Sequence, residues 1–315
     1  MALPQGLVTA RGRLVEKRGW LLRLRSAEGG LGWGEAAPLE GRLEPLAQAM
    51  AALGEQPLRC QLEAALPALP PPLAFALGAA LAELDGLPQR RWLAAPASAR
   101  LLPAGPAALE ALAGAQKLPA ASMDPLAAGP VFKWKVAVLP DAEERQLLEL
   151  LLRRLPPRAL LRLDANGGWD RATAWGWAER LAAEPRLEWL EQPLPPADGA
   201  GLEALVRQFP HLPIALDESL QCQPQWRERW PGWQVRRPSQ EGDPRPLLAA
   251  LERGRPRLML STGFETGIAA RWLAHLAALQ AQGPTPAAPG LAPGWQPAGR
   301  LASADPAQVW QAVAP

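Results

Sequence analysis

Two lysines and three acids are the residues of this chain whose types and spacing point to chemistry. Lys133 and Lys135 lie two residues apart in the apolar segment 131–137, and Asp164, Glu191 and Asp217 each close a later apolar run. Alternate residues of a strand share a face, so the two lysines are predicted to point to the same side. A lysine ammonium can give up its proton, whereas an arginine guanidinium effectively never does.

Arginine dominates the cations of this chain, which makes the lysines informative. Of the 33 basic residues, only Lys17, Lys117, Lys133 and Lys135 are lysines. Most positions that need only a positive charge have therefore taken arginine. Two lysines kept side by side indicate proton transfer.

The three acids predict a metal centre with oxygen ligands. If the apolar runs are successive parallel strands, their carboxyl ends meet at the face where barrel enzymes carry their active sites. Three carboxylates there would repel one another, and a bound Mg²⁺ would relieve that repulsion. The sequence therefore predicts Asp164, Glu191 and Asp217 as ligands of Mg²⁺, with Mn²⁺ as an alternative ion.

Each of these residues also has a plain structural interpretation. Residues 217–219 and 164–167 suit capped or glycine turns, Glu191 suits a solvated loop, and the lysines suit an edge strand. The shared strand phase and regular spacing favour one functional cluster over four unrelated coincidences. Farther along, Ser261, Thr262 and Gly263 follow another apolar run, and two interpretations stay open for them: backbone N–H groups that bind an anion, or a helix cap.

The surrounding sequence predicts the elements that position these residues. From about residue 98, apolar runs alternate with amphipathic helical segments, and about eight runs can be counted between residues 101 and 291, which is typical of a closed β/α barrel. Residues 1–95 are predicted to form an α+β domain that opens with a hairpin of residues 7–15 and 20–25. We assign residues 96–295 to the barrel and expect the tail 296–315 to pack on the first domain.

Composition narrows the class of protein. With 315 residues, 48% of them hydrophobic, and a net charge of +2, the chain can bury a large core but offers no single-signed face for nucleic acid or a membrane. Its most apolar stretch is too interrupted to span a bilayer, and Cys60 and Cys222 lack metal-ligand spacing. We expect a cytoplasmic protein with a small-molecule partner; the oligomeric state stays open.

Four short motifs carry a family resemblance. The patterns Lys-x-Lys at 133–135, Asp-Ala-Asn at 164–166, Glu-Gln-Pro at 191–193 and Asp-Glu-Ser at 217–219 occur in this order. Together they resemble the enolase superfamily in its muconate-lactonising-enzyme-like subgroup, and within it the o-succinylbenzoate synthase family. The resemblance implies a modified TIM barrel, (β/α)7β, with an N-terminal α+β capping domain.

The resemblance also implies a role for each motif. The three strand-end acids would hold Mg²⁺, Lys135 would be the catalytic base and Lys133 would orient the substrate carboxylate. Two residues would support the ligands from behind: Asn166 and Glu218. Two further segments would contact substrate, a mobile capping loop with Gly32, Gly34 and Glu35, and a succinyl-carboxylate site with Ser261, Thr262 and Gly263.

The implied reaction is syn-dehydration of 2-succinyl-6-hydroxy-2,4-cyclohexadiene-1-carboxylate to o-succinylbenzoate, through an enediolate, in menaquinone or phylloquinone biosynthesis. Alternatives on the same scaffold are an N-acylamino acid racemase, a dipeptide epimerase or a cycloisomerase, and an alternative of another class is a non-catalytic barrel. Where the family carries a second lysine before a proline, this chain has Arg237. Arginine cannot serve as a second base, which favours a one-base dehydration with Arg237 holding a cation over the developing ring. Two other interpretations of this position are lysine-to-arginine drift from a two-base enzyme, and Arg236 as the inward residue.

Overall fold

The computed structural model describes residues 1–9, 12–39, 43–87, 91–116 and 129–313, so that Lys117 lies outside the described residues. The chain divides into two compact units. The first unit combines Met1–Ser98 with Arg236–Pro315, and the second is Ala99–Val235. The domain bounds inferred from the sequence stay predictions.

The first unit begins with two antiparallel strand pairs. Strand β1 (Ala2–Thr9) pairs with β2 (Gly12–Glu16), and β3 (Trp20–Arg25) pairs with β4 (Leu31–Ala36). The predicted hairpin of residues 7–15 with 20–25 is therefore wrong, because residues 7–15 contribute to two strands that pair with each other. Gly19, which lies between the two segments of that predicted hairpin, is close to the backbone of Ala36, whose oxygen would be 2.4 Å from an added Cβ.

One buried helix organises the first unit. Helix α3 (Pro71–Leu84) follows α1 (Glu44–Leu53) and α2 (Arg59–Ala65), and all of its residues from Pro72 to Glu83 are buried. Proline suits the first turn of a helix because it lacks the N–H that would go unsatisfied there. A helix that is apolar on all sides belongs in a core. The C-terminal part of this unit adds α10 (Arg245–Glu252), α11 (Gly267–Ala281) and α12 (Pro306–Val313).

The second unit carries the parallel strands that the sequence predicts. They are β5 (Arg100–Leu102), β6 (Val131–Lys135), β7 (Leu160–Asp164), β8 (Leu187–Glu191), β9 (Ile214–Leu216) and β10 (Trp233–Arg236). The intervening helices are α4 (Ala107–Gln116), α5 (Asp141–Arg154), α6 (Arg171–Leu181), α7 (Gly199–Gln208), α8 (Glu218–Cys222) and α9 (Trp226–Arg229). The residues of β7, β8 and β9 are almost all buried, on both faces of the sheet, as parallel strands covered by helices require.

The sheet keeps sequence order throughout. Strand β11 (Leu258–Leu260) completes the order β5-β6-β7-β8-β9-β10-β11, and the division between the two units falls within β10. The eighth predicted run is reduced to one parallel bridge between Ser261 and Gly290. No described helix has the length and apolarity that crossing a membrane would take.

Candidate active site

The register of three neighbouring strands places Lys135, Asp164 and Glu191 side by side across the sheet. Lys135 of β6 is opposite Asp164 of β7, and Asp164 is opposite Glu191 of β8. Both acids are the last residues of their strands, so the carboxyl ends meet in one row. The alternation within β6 is as predicted: Lys133 and Lys135 are half-buried, whereas Trp134 between them is fully buried.

The ammonium of Lys133 joins two of the predicted metal ligands. Its Nζ lies 2.8 Å from Asp164 Oδ2 and 2.6 Å from Glu191 Oε1. The side chain of Lys133 is 11% exposed, and the carboxylates are almost fully buried. Ion pairs this close and this shielded are strong, and the carboxylates need the cation because burial without it would be costly.

The charges of this cluster shift the pKa values in opposite directions. Burial opposes the charge of Lys133, but the charges of Asp164, Glu191 and Asp217 outweigh it and raise the pKa of this lysine. Burial and the charge of Asp164 raise the pKa of Glu191 to about 7. Lys133 therefore stays protonated, and a protonated amine cannot act as a base.

Asp164 is shifted the other way. Burial would raise its pKa, but the ammonium groups of Lys133 and Lys135 outweigh burial and lower it. Lys135 thus acts electrostatically on the same cluster as Lys133. The structure brings both lysines and Asp164 together, as their strand phase predicts.

Asp217 belongs to the cluster through its charge. It follows β9 and immediately precedes α8, and its charge raises the pKa values of both Glu191 and Lys133. Among residues 1–9, 12–39, 43–87, 91–116 and 129–313, no three His, Cys, Asp or Glu side chains stand close enough together to form a metal site. Lys133 lies between Asp164 and Glu191. Asp217 acts on this group of residues through its negative charge.

The donor set nevertheless suits a hard divalent cation. Asp164, Glu191 and Asp217 offer only carboxylate oxygens, which Mg²⁺ prefers, and no thiolate or imidazole. All three side chains are buried, and the negative charges of Asp164 and Asp217 contribute to the raised pKa of Glu191. A cation among these oxygens would remove the repulsion that those charges create.

Two residues support the acids from the following turns. Asn166 donates from its backbone N–H to Asp164 Oδ1 over 3.0 Å, and from its side-chain amide to Glu218 Oε1 over 3.0 Å. Asn166 has a φ of 45°, a left-handed conformation that asparagine tolerates better than most residues. The predicted supporting pair, Asn166 and Glu218, is thus one hydrogen-bonded unit.

Gln192 is a residue of this site to which the sequence assigned no role. Its side-chain oxygen accepts from the backbone N–H groups of Asp217 and Ser219, at 3.2 and 3.0 Å. Its amide donates to Ser219 Oγ at 2.7 Å and to the oxygen of Leu194 at 2.8 Å. Gln192 therefore fixes the end of β9, and with it Asp217, relative to the end of β8.

Trp189 and Arg162 form a second support that the sequence did not indicate. Trp189 Nε1 donates to Glu191 Oε2 over 3.3 Å, on the carboxylate oxygen that Lys133 does not contact. The guanidinium of Arg162 lies 3.9 Å from the centroid of the Trp189 ring, and its Nε donates to Glu188 over 2.6 Å. A cation stacked on the ring steadies the tryptophan that holds the Glu191 side chain.

Arg237, in the first unit, makes hydrogen bonds through both its backbone and its guanidinium. Its backbone N–H donates to Glu241 Oε1 over 2.6 Å, and its Nη1 donates to the oxygen of Thr262 over 3.2 Å. Arg236 is buried and makes an ion pair with Glu241 at 2.6 Å. The ion pair with Glu241 thus gives Arg236 a structural role. The guanidinium of Arg237 instead contacts Thr262, in the segment predicted to bind substrate.

The backbone of residues 261–263 does not form the anion site that the sequence suggested. Ser261 N–H donates to the oxygen of Arg236 at 2.8 Å, and Thr262 N–H to that of Gly290 at 3.1 Å. Gly263 N–H donates to Glu265 Oε1 at 2.7 Å. Strand pairing and a buried carboxylate therefore take all three donors, and the anion-binding interpretation of these N–H groups is wrong. The helix-cap alternative is wrong as well, because α11 begins only at Gly267, after Thr266 at its N-cap.

The segment predicted as a mobile capping loop is a strand. Gly32, Gly34 and Glu35 belong to β4, and all three are buried. A Cβ added to Gly32 would lie 2.0 Å from the oxygen of Ala80, and one added to Gly34 would lie 2.1 Å from that of Ala76. The glycines are required by close packing on α3, not by a flexible loop.

Glu35 is held by contacts within the first unit. Its Oε2 accepts from the backbone N–H and the hydroxyl of Thr266, at 2.9 and 2.6 Å, and its Oε1 lies 3.9 Å from Lys17 Nζ. Burial raises the pKa of Glu35. The side chain therefore anchors the start of α11.

The chain is similar to known proteins across both units. The family described as "Enolase C-terminal domain-like" matches residues 126–229. An o-succinylbenzoate synthase from Thermosynechococcus vestitus strain BP-1 is 37% identical over 288 residues, which cover 87% of this chain and 85% of that protein.

Solved structures give the same result. The crystal structure of o-succinylbenzoate synthase from Thermosynechococcus elongatus BP-1, with magnesium in its active site, has a TM-score of 0.82 and 33% identity, covering 99% of this chain and 97% of that one. Muconate lactonizing enzyme from Pseudomonas putida has a TM-score of 0.61 at 19% identity, covering 82% of this chain and 79% of that one, and shows the shared fold alone. The predicted fold class, a (β/α)7β barrel with an N-terminal capping domain, is confirmed. The chain belongs to the o-succinylbenzoate synthase family of the enolase superfamily.

Proposed function

We propose that this protein is an enzyme, a hydro-lyase that converts 2-succinyl-6-hydroxy-2,4-cyclohexadiene-1-carboxylate to o-succinylbenzoate by syn-dehydration. The observation that carries the proposal is the cluster of Lys133, Lys135, Asp164 and Glu191, with the charge of Asp217, in a chain that is similar over 87% of its length to an o-succinylbenzoate synthase. The product would enter menaquinone or phylloquinone biosynthesis. The substrate is a small carboxylate.

The three strand-end acids would hold Mg²⁺, or Mn²⁺, in the working enzyme. Asp164, Glu191 and Asp217 supply the oxygen donors that these ions prefer. When bound, the ion supplies Lewis-acid chemistry that polarises a substrate carboxylate and lowers the energy of the enediolate. The relative from Thermosynechococcus elongatus, solved with magnesium in its active site, supports this assignment.

The two lysines would divide the proton chemistry between them. Lys133 stays protonated because the surrounding acids raise its pKa, so its charge is suited to orienting the substrate carboxylate. Lys135 would remove the proton α to the carboxylate, leaving the C–H electron pair in the enediolate. As the carboxylate re-forms, the C–O bond breaks, and Lys135 returns its proton to the departing hydroxide, which leaves as water. One base on one face suffices for this sequence.

Arg237 would supply a fixed positive charge and no proton. A racemase or epimerase with a base on each face of its substrate needs two groups that titrate, and a guanidinium does not. This argues for dehydration over racemisation. Ser261 adjoins Thr262, whose backbone oxygen accepts from Arg237, and we assign Ser261 to substrate together with Arg237.

We place this reaction in the cytoplasm. Cys60 and Cys222 are both free and exposed, as is typical of proteins from a reducing compartment.

The proposal is tested with the purified protein, the cyclohexadiene acid and Mg²⁺. The diene absorbance should decay as o-succinylbenzoate forms, EDTA should stop the reaction, and Mg²⁺ or Mn²⁺ should restore it. Zn²⁺ should be a poor substitute, because the donor set lacks sulfur and nitrogen. Racemisation of an N-succinylamino acid in D₂O, without any o-succinylbenzoate from the diene, would overturn the assignment in favour of a racemase.

A further inference from the structure

The buried carboxylate of Glu265, outside the lysine and acid cluster, accepts hydrogen bonds from the segment 261–264. Glu265 is 3% exposed. It accepts from Ser239 Oγ at 2.5 Å, from Thr262 Oγ1 at 2.6 Å and from Gly263 N–H at 2.7 Å. Short hydrogen bonds to an ionised group are stronger than neutral ones, so these three donors hold the segment firmly.

The segment is also built tightly around this carboxylate. A Cβ added to Gly263 would lie 2.9 Å from Glu265 Oε1 and 2.9 Å from Ser239 Oγ. Contacts that close are not available to any other residue type without movement of its neighbours. A larger residue here would therefore push the Glu265 carboxylate and the Ser239 hydroxyl out of their present positions.

Next to Gly263, the backbone carries strain. Phe264 has a φ of 62°, a left-handed conformation that is an outlier for a bulky side chain. Its N–H donates to Thr262 Oγ1 over 2.8 Å, and that hydroxyl in turn donates to Glu265. Strain of this kind persists only where the surrounding structure over-determines it.

The Phe264 side chain is buried in a small hydrophobic cluster beside a cavity. A cavity of about 130 Å³ adjoins the Phe264 side chain, and its lining also includes Glu265, Leu273, Leu291 and Trp295. The ring meets Trp295 edge-on, with centroids 6.3 Å apart, and packs in the same cluster as Ala292. The hydrogen bond from Phe264 N–H to Thr262, whose hydroxyl is bonded to Glu265, therefore contributes to the constraint.

The segment held in this way carries groups assigned to substrate. Thr262, whose hydroxyl is bonded to Glu265, accepts from Arg237 Nη1 through its backbone oxygen at 3.2 Å. Ser261 is the next residue along the chain. We propose that Glu265 is a positioning residue, whose carboxylate sets the places of Arg237 and Ser261 through Thr262 and thereby tunes substrate binding. This inference rests on the function proposed above.

Kinetics of two Glu265 variants test the inference. Glu265→Ala should raise KM for the diene acid at least about tenfold while kcat stays within about threefold, because it weakens binding common to the ground and transition states. Glu265→Gln keeps one acceptor oxygen for Gly263 or Ser239, so its KM should lie between those of Glu265→Ala and the unmodified protein. Unchanged KM in both variants would overturn the inference.

Glu83 provides the matched control in the same unit. It is also a buried carboxylate, and it accepts from Trp33 N–H at 3.1 Å, Trp272 Nε1 at 3.2 Å and Arg271 at 2.5 Å. None of these donors belongs to residues 261–264. Glu83→Gln should reduce the free energy of unfolding and leave KM unchanged; an equal rise of KM in this variant would attribute the effect of Glu265 to stability alone and refute the positioning role.

Amide hydrogen exchange tests the constraint without relying on catalysis. In the unmodified protein the N–H groups of Gly263 and Phe264 should be protected. Glu265→Ala, or Glu265→Gln if the alanine variant does not fold, should raise their exchange rates at least about tenfold, while Glu83→Gln should not. Unchanged exchange overturns the inference. Faster exchange in a protein that forms no o-succinylbenzoate would instead refute the proposed function and leave the constraint itself supported.

Discussion

Glu191 should make the metal-free protein less stable as the pH rises. Its pKa in the folded protein is about 7, against an ordinary value of 4.5. Between these values the folded state binds more protons at this carboxyl than the unfolded state does, so the free energy of unfolding must fall with increasing pH. At 1.36 kcal/mol per pKa unit, the loss is about 2 to 3 kcal/mol between pH 5 and pH 8.

Other groups also have shifted pKa values in the folded protein, so a variant must isolate the contribution of Glu191. Burial also raises the pKa values of Glu35 and Glu83, which adds losses of the same sign, and burial lowers the pKa of His275, which adds a change of opposite sign. Lys133 is protonated in both states at these pH values, because its pKa is raised. The difference between the unmodified protein and Glu191→Gln therefore reports Glu191.

Urea unfolding in EDTA, followed by tryptophan fluorescence at pH 5 and pH 8, measures this difference. The unmodified protein should lose about 2 to 3 kcal/mol more than Glu191→Gln on going to pH 8. Mg²⁺ added at pH 8 should recover much of the loss in the unmodified protein, because a ligand that binds only the folded state stabilises it. An identical pH dependence in the two proteins would refute the electrostatic reasoning.

Three further predictions concern the base, the replaced lysine and a tightly packed glycine. Lys135→Arg should abolish dehydration in steady-state assays while Mg²⁺ binding by calorimetry persists, since a guanidinium cannot accept the α-proton; Lys133→Arg should cost less, and equal losses would contradict this division of roles. Arg237→Lys should keep kcat/KM within about tenfold, a barrier change of about 1.4 kcal/mol, because the cation survives, and a far larger loss would show that the guanidinium shape matters. Gly34→Ala should lower the free energy of unfolding by about 3 kcal/mol, because its Cβ would lie 2.1 Å from a backbone oxygen of α3; Gly114→Ala, with nothing within 4 Å, should be neutral or stabilising, and equal effects would contradict the packing argument.

The sequence by itself determined the strands of the parallel sheet and the phase of their polar residues. Runs of leucine and valine closed by Asp164, Glu191 and Asp217 predict where each strand ends, and the two-residue period predicts that Lys133 and Lys135 share a face. Both are local properties, because a strand buried on both faces needs a continuous apolar run and its pleat fixes the side-chain alternation. The alignment of Asp164 with Glu191 is not local, because the register of β7 with β8 shifts by one residue between Leu161 and Arg162.

The sequence did not predict which strands pair in the first unit, because strand pairing there depends on contacts that are not local. Residues 7–15 alternate as one long strand would, and nothing local shows that β1 pairs with β2 and β3 with β4. The motif containing Gly32 and Gly34 has the composition of a loop, yet its glycines are required by the backbone of α3, which lies more than 40 residues along the chain. Close approach between distant segments leaves no local pattern.

Tertiary structure alone decided the partners of the buried polar groups. Glu265 is bonded to Ser239, 26 residues away, and Glu35 to Thr266, 231 residues away. The carboxylate of Glu265 takes the N–H of Gly263, which the sequence had offered to an anion. A buried carboxylate must satisfy its oxygens with whichever donors the fold brings near, and hydrogen bonds of 2.5 to 2.9 Å depend on distances that only the packed chain defines.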